Sequence, residues 1–97
     1  MAFSCKAVLA DYKRDGGLRR VYLQAILDGR KVRIPFAFYV EEHHFQARGN
    51  GSIREAHPNA RDYNAEIESA IVKALSLASR YRLKRKALTC AAFKDEF

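Results

Sequence analysis

The sequence predicts an α+β fold in which three antiparallel strands form a meander and one long C-terminal helix packs on one face of the sheet. Two observations lead to this prediction. The first third of the chain contains strand-like runs separated by glycine turns, and apolar residues recur at spacings of three and four beyond residue 59. The 97 residues, of which 48% are hydrophobic, suffice for one modest core. We therefore expect a single domain.

The first two strands are predicted to form a hairpin. In residues 3–10, Phe3, Cys5, Ala7 and Leu9 fall on one face and alternate with a second, more polar set. The segment KRDGGL at 13–18 is a turn signal, because its two glycines accept the positive φ angles that a reversal needs. The second strand is expected over residues 19–27.

A third strand is predicted over residues 31–38. The dipeptide Asp28-Gly29 is a strong signal for a two-residue hairpin between strands. Pro35 cannot donate a main-chain hydrogen bond, so regular pairing is expected to end there or the strand to lie at an edge.

A short helical turn and a loop are expected in the polar stretch 41–58, which has Phe45 as its large apolar anchor. A helix is then expected from about 60 to 86, capped by Asn59 or Asp62. Ile67, Ile71 and Leu75 are predicted to face the sheet. The full set of apolar positions with helical spacing is Tyr63, Ile67, Ala70, Ile71, Ala74, Leu75 and Ala78.

One helix can cover only one face of a three-stranded sheet. The face with Leu9, Leu23 and Val32 is the more apolar one and is expected to take the helix. The opposite face would remain open. Its predicted members are Lys6, Val8, Tyr22, Gln24, Ile26, Lys31 and Arg33.

The charge balance favours a polyanionic partner. Eighteen Lys and Arg against eleven Asp and Glu give a net charge of +7. Residues 1–33 and 69–97 each carry a net +5, whereas residues 34–68 carry −3. Nucleic acid and acidic lipid both fit this balance, and an ordinary solvated surface is the alternative.

The remaining composition argues against several other classes of protein. Cys5 and Cys90 form neither a C-x-x-C pair nor a disulfide framework, which favours a reducing, cytoplasmic compartment. No apolar run is long enough for a signal peptide or a membrane span, so we expect a soluble protein without a membrane partner. His43, His44 and His57 have no ligand spacing typical of zinc, and no cofactor or metal is expected.

Four segments in order resemble one known family. They are Val21-Tyr22-Leu23-Gln24-Ala25-Ile26, Asp28-Gly29-Arg30-Lys31, Val32-Arg33-Ile34 and the stretch from Glu41 to Phe45. Followed by a long helix, they resemble the N-terminal arm DNA-binding domain of tyrosine recombinases (integrases) of conjugative transposons and related mobile elements. Family members often carry a Thr-Gly turn and a Trp after the third strand, where this chain has Pro35-Phe36-Ala37 and Phe45.

The resemblance implies sequence-specific binding of double-stranded DNA at arm-type sites, with the sheet face in the major groove, as part of DNA integration and recombination. Residues 1–87 would form this module, and LTCAAFKDEF at 88–97 is similar to the start of the family's linker to a core-binding domain absent from this chain. Other recombinase subunits are a second expected partner.

The predicted contact residues combine the open face with the hairpin ends. Strand side chains would reach base edges, and basic side chains near the turns would reach phosphates. The run RYRLKRK at 80–86 either contacts phosphate or another subunit, or simply complements the negative end of the helix dipole. The predicted DNA-binding residues are Lys6, Lys13, Arg14, Arg20, Tyr22, Gln24, Arg30, Lys31 and Arg33.

RNA binding and protein interaction on a similar scaffold are the alternatives. RNA-binding sheets usually stack bases on exposed aromatic side chains, and only Tyr22 is clearly expected on the open face. No catalytic constellation or small-molecule site is visible in the sequence. We therefore expect a DNA-binding module that is not itself an enzyme.

Overall fold

The computed structural model describes residues 2–97 and contains an α+β fold of the predicted kind. A three-stranded antiparallel sheet in the order β1-β2-β3 is joined by a two-stranded hairpin, β4-β5, and by two helices. Single 3₁₀ turns lie at Asp15–Gly17 and Glu42–His44. The elements are β1 (Phe3–Leu9), β2 (Leu18–Leu27), β3 (Arg30–Glu41), β4 (Phe45–Gln46), β5 (Ser52–Ile53), α1 (Ala60–Leu83) and α2 (Cys90–Glu96).

Both predicted turns in the meander are present. Gly16 and Gly17 have φ angles of 82° and 77° between β1 and β2. Asp28 and Gly29 have φ angles of 50° and 85°, which are the left-handed conformations of a two-residue hairpin turn. The Asp28 carboxylate also accepts a hydrogen bond from the main-chain nitrogen of Ala2, at 2.7 Å, and so anchors the start of the chain.

β3 is longer than the predicted strand over 31–38. Pro35 pairs with Tyr22, and the register then shifts before Tyr39 pairs with Arg20. The shift places the three residues 36–38 opposite a single residue of β2, and pairing resumes up to Glu41. Pro35 thus lies on an edge strand, as predicted, but it interrupts the pairing without ending it.

The core lies between the sheet and α1. Val21, Leu23 and Ala25 of β2 are fully buried, and their β1 and β3 partners in the register fall on the same face. Ile67 and Ala74 of α1 complete the contact. The predicted assignment of the two sheet faces is therefore confirmed.

The predicted face of α1 is wrong at one position. Ile67 and Ile71 are buried, but Leu75 is 50% exposed and Leu77 takes its place in the core with 2% exposure. Successive residues turn by about 100° around a helix, so Leu77 lies about 60° from the fully buried Ala74 and Leu75 about 100° from it.

α1 ends at Leu83, three residues before the predicted end. Arg85 has a φ of 55°, and the main-chain nitrogen of Lys86 donates to the carbonyl of Tyr81 at 3.0 Å. This is the hydrogen bond of a Schellman C-cap, with an arginine in the left-handed position that glycine usually takes. Asn59 occupies the N-cap position, but its side chain makes no capping hydrogen bond.

The stretch 41–58 contains the predicted short helical turn and, in addition, the β4-β5 hairpin. The side chain of Asn64 in α1 accepts from the nitrogen of Ile53 at 2.8 Å and donates to its carbonyl at 2.9 Å. At the turn of this hairpin, Gly51 lies against Ala7 of β1, and the nitrogen of Ala7 donates to the carbonyl of Asn50 at 2.8 Å. The hairpin is thus attached to both α1 and the edge of the sheet.

Residues 88–97, predicted to open a linker, form α2 and pack on the fold. Leu88 and Phe93 are buried, and the ring of Phe93 lies 6.0 Å from that of Phe3. The hydroxyl of Thr89 caps α2 by accepting from Ala92 at 3.1 Å. A further domain beyond this helix remains a prediction.

Of the helices within residues 2–97, none combines the length and the apolar character needed to cross a bilayer.

Candidate nucleic-acid interface

The sheet face turned away from α1, which we call the open face, carries rows of side chains that cross all three strands. In the central row, Lys6 pairs with Gln24 and Gln24 pairs with Arg33. The next row toward the β2-β3 turn contains Ile26 and Lys31. Lys6, Lys31 and Arg33 are exposed. The predicted alignment of Gln24 and Arg33 on one face is therefore present.

Gln24 is a buried polar side chain at the centre of this face, with only 6% exposure. Its Oε1 accepts a hydrogen bond from Nε of Arg33 at 3.0 Å. The hydrogen bond fixes the amide and also restrains the guanidinium of Arg33. It uses Nε, so the two terminal nitrogens of Arg33 remain to contact a base edge or a phosphate.

A second group of cations surrounds Tyr39 at the far end of the open face. The guanidinium of Arg14 lies 4.7 Å from the centre of the Tyr39 ring, and that of Arg20 lies 5.4 Å from it. Nε of Arg20 also donates to the carbonyl of Phe36 at 2.8 Å. These contacts hold two arginines of the first hairpin beside one aromatic ring, where they form a localised positive patch.

Tyr12 and Tyr22 form a pair between these two groups. Tyr12 lies beside Tyr22, and this neighbouring side chain, followed by desolvation, raises the pKa of Tyr22 above its usual value. Tyr12 is 61% exposed. The expectation that Tyr22 is the only clear aromatic on the open face is thus wrong, because Tyr12 and Tyr39 also lie there.

The structure brings most of the predicted contact residues together. Arg14 joins them through Tyr39, although it lies in the β1-β2 connection. The predicted residues on the open face itself are Lys6, Arg20, Tyr22, Gln24, Lys31 and Arg33.

Two predicted residues lie apart from this group. Arg30 pairs with Leu27, so it has the register of the helix-covered face, and it borders a shallow cleft with Thr89 and Cys90. Lys13 borders another cleft, together with Glu41 and Glu42. The alternation of side chains along β3 is enough to place Arg30 on the helix-covered face. The place of Lys13 depends instead on the path of the connection between β1 and β2.

Carboxylates are largely absent from the open face. None of the strand positions 4, 6, 8, 20, 22, 24, 26, 31, 33 and 35 holds Asp or Glu. Glu41 lies beyond them, at the end of β3, and Nδ1 of His43 is 3.4 Å from its carboxylate. Asp62, Glu66 and Glu68 lie on exposed positions of α1, on the other side of the molecule. Every charged side chain in the central rows of the open face is therefore a cation.

The histidines and cysteines do not form an alternative site. The rings of His43 and His44 are 4.1 Å apart, and those of His44 and His57 are 5.0 Å apart. Even so, no group of three His, Cys, Asp or Glu side chains in residues 2–97 could hold a metal ion. Cys5 and Cys90 are free and half-buried, and burial raises the pKa of the Cys5 thiol, which disfavours the nucleophilic thiolate.

Comparison of the chain with protein-family models, with curated proteins and with solved structures finds no match. The function is therefore inferred from the open face itself.

Proposed function

We propose that this domain binds double-stranded DNA through its open face. The observation that carries the proposal is the central row, in which an amide and a guanidinium, Gln24 and Arg33, are held together by a hydrogen bond and flanked by Lys6 and Lys31. A guanidinium is the side chain that most often reads guanine in the major groove, and the buried amide of Gln24 orients this one. Lysines beside them suit phosphate contacts.

The dimensions of the sheet agree with this role. Neighbouring strands lie about 4.8 Å apart, so the outer strands β1 and β3 are separated by about 10 Å. The major groove of B-form DNA is about 12 Å wide. Arg14 and Arg20 would then contact the backbone at the end of the face, where both guanidiniums lie beside the Tyr39 ring.

Single-stranded nucleic acid is a second candidate, because three tyrosines lie on the open face. Binding of single strands requires aromatic rings whose flat faces are free to stack on bases. Tyr39 has two guanidiniums over its ring, and Tyr22 has the Tyr12 side chain beside it. Both arrangements favour contacts of the duplex type, in which the arginines meet phosphate.

The biological setting that we propose follows from the family resemblance. The domain would act in the cytoplasm as the non-catalytic arm-site module of a site-specific tyrosine recombinase, with other recombinase subunits as further partners. The free cysteines suit a reducing compartment.

The test compares two double variants that remove the same charge from opposite sides of the molecule. Lys6→Ala/Lys31→Ala changes the open face, whereas Arg61→Ala/Lys94→Ala changes exposed positions on α1 and α2. Fluorescence anisotropy would be measured on labelled duplex DNA, on single-stranded DNA and on RNA of the same sequence, at several salt concentrations.

We expect wild type to prefer the duplex, and the open-face variant to bind it more weakly. The log-log salt dependence should flatten by roughly 0.9 for each phosphate that the variant no longer neutralises. The helix-side variant should change much less. Equal weakening in the two variants would mean that binding depends only on net charge, and a preference for single strands would favour the second candidate.

A further inference from the structure

The outward side of α1 carries apolar side chains that the core does not use. Val72, Leu75 and Leu83 are 63%, 50% and 79% exposed. Their spacing of three and eight residues places them along one side of the helix, with Val72 and Leu83 turned away from the sheet and Leu75 at the border of the packed face. We call this surface the outer stripe, and its outward-facing members are Ala65, Glu68, Val72, Leu75, Ser79 and Leu83.

DNA binding does not account for the outer stripe. The open face of the sheet lies on the opposite side of the molecule, with the core and α1 itself between them. Single exposed apolar residues are common on protein surfaces, but three on one helical face, separated by small side chains, form a surface that another helix could cover.

The charges along α1 indicate which partner would fit. On the outward side, Glu68 is the charged residue nearest to Leu75 toward the start of the helix and Arg82 the nearest toward its end, with Arg61 two further turns toward the start. Glu68 and Arg82 lie equally far from Leu75, about two helical turns on either side of it. Both side chains are exposed, and within residues 2–97 neither forms an ion pair with the rest of the chain.

We infer that the outer stripe is a self-association surface, on which α1 of a second copy packs in the antiparallel direction. A twofold axis at Leu75 would bring the two Leu75 side chains together and would set Val72 of each copy beside Ser79 of the other. The same axis brings Glu68 of each copy to Arg82 of the other, so the dimer contains two such pairs. A parallel copy would instead set Glu68 against Glu68 and Arg82 against Arg82, which is repulsive.

The interface is small, because a single helix from each copy supplies it. We therefore expect a weak dimer, with a dissociation constant of roughly micromolar to millimolar size. This association is independent of the proposed DNA binding, since the two surfaces share no residue.

Charge reversal provides a sharp test by sedimentation equilibrium of the whole chain over a wide range of concentrations. Glu68→Arg alone and Arg82→Glu alone should each weaken the dimer by roughly tenfold or more, because like charges then meet across the axis. The double variant Glu68→Arg/Arg82→Glu should recover the wild-type dissociation constant. An equimolar mixture of the two single variants should form a heterodimer more stable than either homodimer.

Two controls accompany the series. Lys94→Glu reverses an exposed charge on α2 outside the stripe and should leave association unchanged, whereas Leu75→Arg should produce a monomer. Circular dichroism melts check that every variant is folded. A wild-type chain that stays monomeric throughout the concentration range overturns the inference. So does a dimer that neither single charge reversal weakens, because another surface would then hold it together.

Discussion

Nε of Arg33 donates to Oε1 of Gln24 across neighbouring strands, at 3.0 Å, and this bond joins a buried amide at the centre of the open face to an exposed guanidinium. A base contact made by the exposed guanidinium depends on the orientation that the amide provides. Arg33→Ala or Gln24→Ala should therefore lower the preference for one base pair by about 1 to 3 kcal/mol.

The measurement is a set of titrations against a duplex selected from a random library and against the same duplex with single base changes. As a comparison, Lys84→Ala/Arg85→Ala/Lys86→Ala removes the basic segment after α1 and should weaken binding to all duplexes alike. If that triple variant loses discrimination and Arg33→Ala retains it, recognition does not occur on the sheet.

Two leucines of α1 provide a matched test of the core. Leu77 is 2% exposed and Leu75 is 50% exposed, two residues apart on the same helix. Leu77→Ala should lower the free energy of unfolding by about 2 to 5 kcal/mol through reduced burial and the cavity that remains, and Ile71→Ala by a similar amount. Leu75→Ala should cost less than about 1 kcal/mol. Urea unfolding at low protein concentration measures the difference, and similar effects at Leu75 and Leu77 would contradict the packing of α1.

Two glycines of the β4-β5 turn differ in their surroundings although both have left-handed φ angles. Gly49 has a φ of 63° and open space where a Cβ would stand, whereas at Gly51, with a φ of 80°, a Cβ would come within 2.5 Å of the Ala7 carbonyl oxygen. Gly49→Ala should cost about 1 to 2 kcal/mol, the strain of the backbone conformation alone. Gly51→Ala should cost distinctly more in thermal or urea unfolding. Equal destabilisation would mean that the turn does not lie against β1.

The stability of the domain should depend on His57 at mildly acidic pH. Desolvation, and to a lesser degree the nearby His44, lower the pKa of His57 from its ordinary value of 6.5, and Glu41 opposes this only in part. Its Nδ1 also accepts from the nitrogen of Asn59 at 3.0 Å, which only the unprotonated nitrogen can do. Because the unfolded chain binds the proton more tightly, the stability is fully present above the ordinary pKa of 6.5 and falls as the pH drops through that value.

Thermal melts between neutral pH and about pH 5 measure this effect. His57→Asn keeps an acceptor near the position of Nδ1 but does not titrate, so its melting temperature should change less with pH over this range. If the variant shows the same pH dependence of melting temperature as wild type, groups other than His57 cause it.

The sequence predicts those parts of the fold that depend on local chemistry. The Asp28-Gly29 turn and strict alternation determine the register of β2 and β3, so Gln24 and Arg33 can be placed on one face from the sequence alone. The register shift beyond Pro35 cannot be predicted in this way, since it depends on how residues 36–38 pack against α1. That shift sets Tyr39 opposite Arg20, so the sequence predicts Arg14 and Arg20 as contact residues but not the aromatic ring between them and the rest of the site.

Other differences have similar causes. The strands of β4-β5 have two residues each, too few for alternation to be recognised, and tertiary contacts such as those of Asn64 support them. Leu75 and Leu77 both fit an apolar helical pattern. Which of them is buried depends on the side of α1 on which the sheet lies. The packing of α2 could not be predicted from its own segment, because Phe93 is buried against the distant Phe3.

The contact of the β4-β5 turn with β1 closes part of a sheet edge. The outward nitrogen of Ala7 is hydrogen-bonded to Asn50, and Gly51 covers its carbonyl oxygen. Exposed edges invite an additional strand from another chain, whether in aggregation or in peptide recognition. Because the middle of β1 is already capped, a ligand cannot add a strand at this position, and recognition on this side of the sheet depends on side chains instead of the main chain.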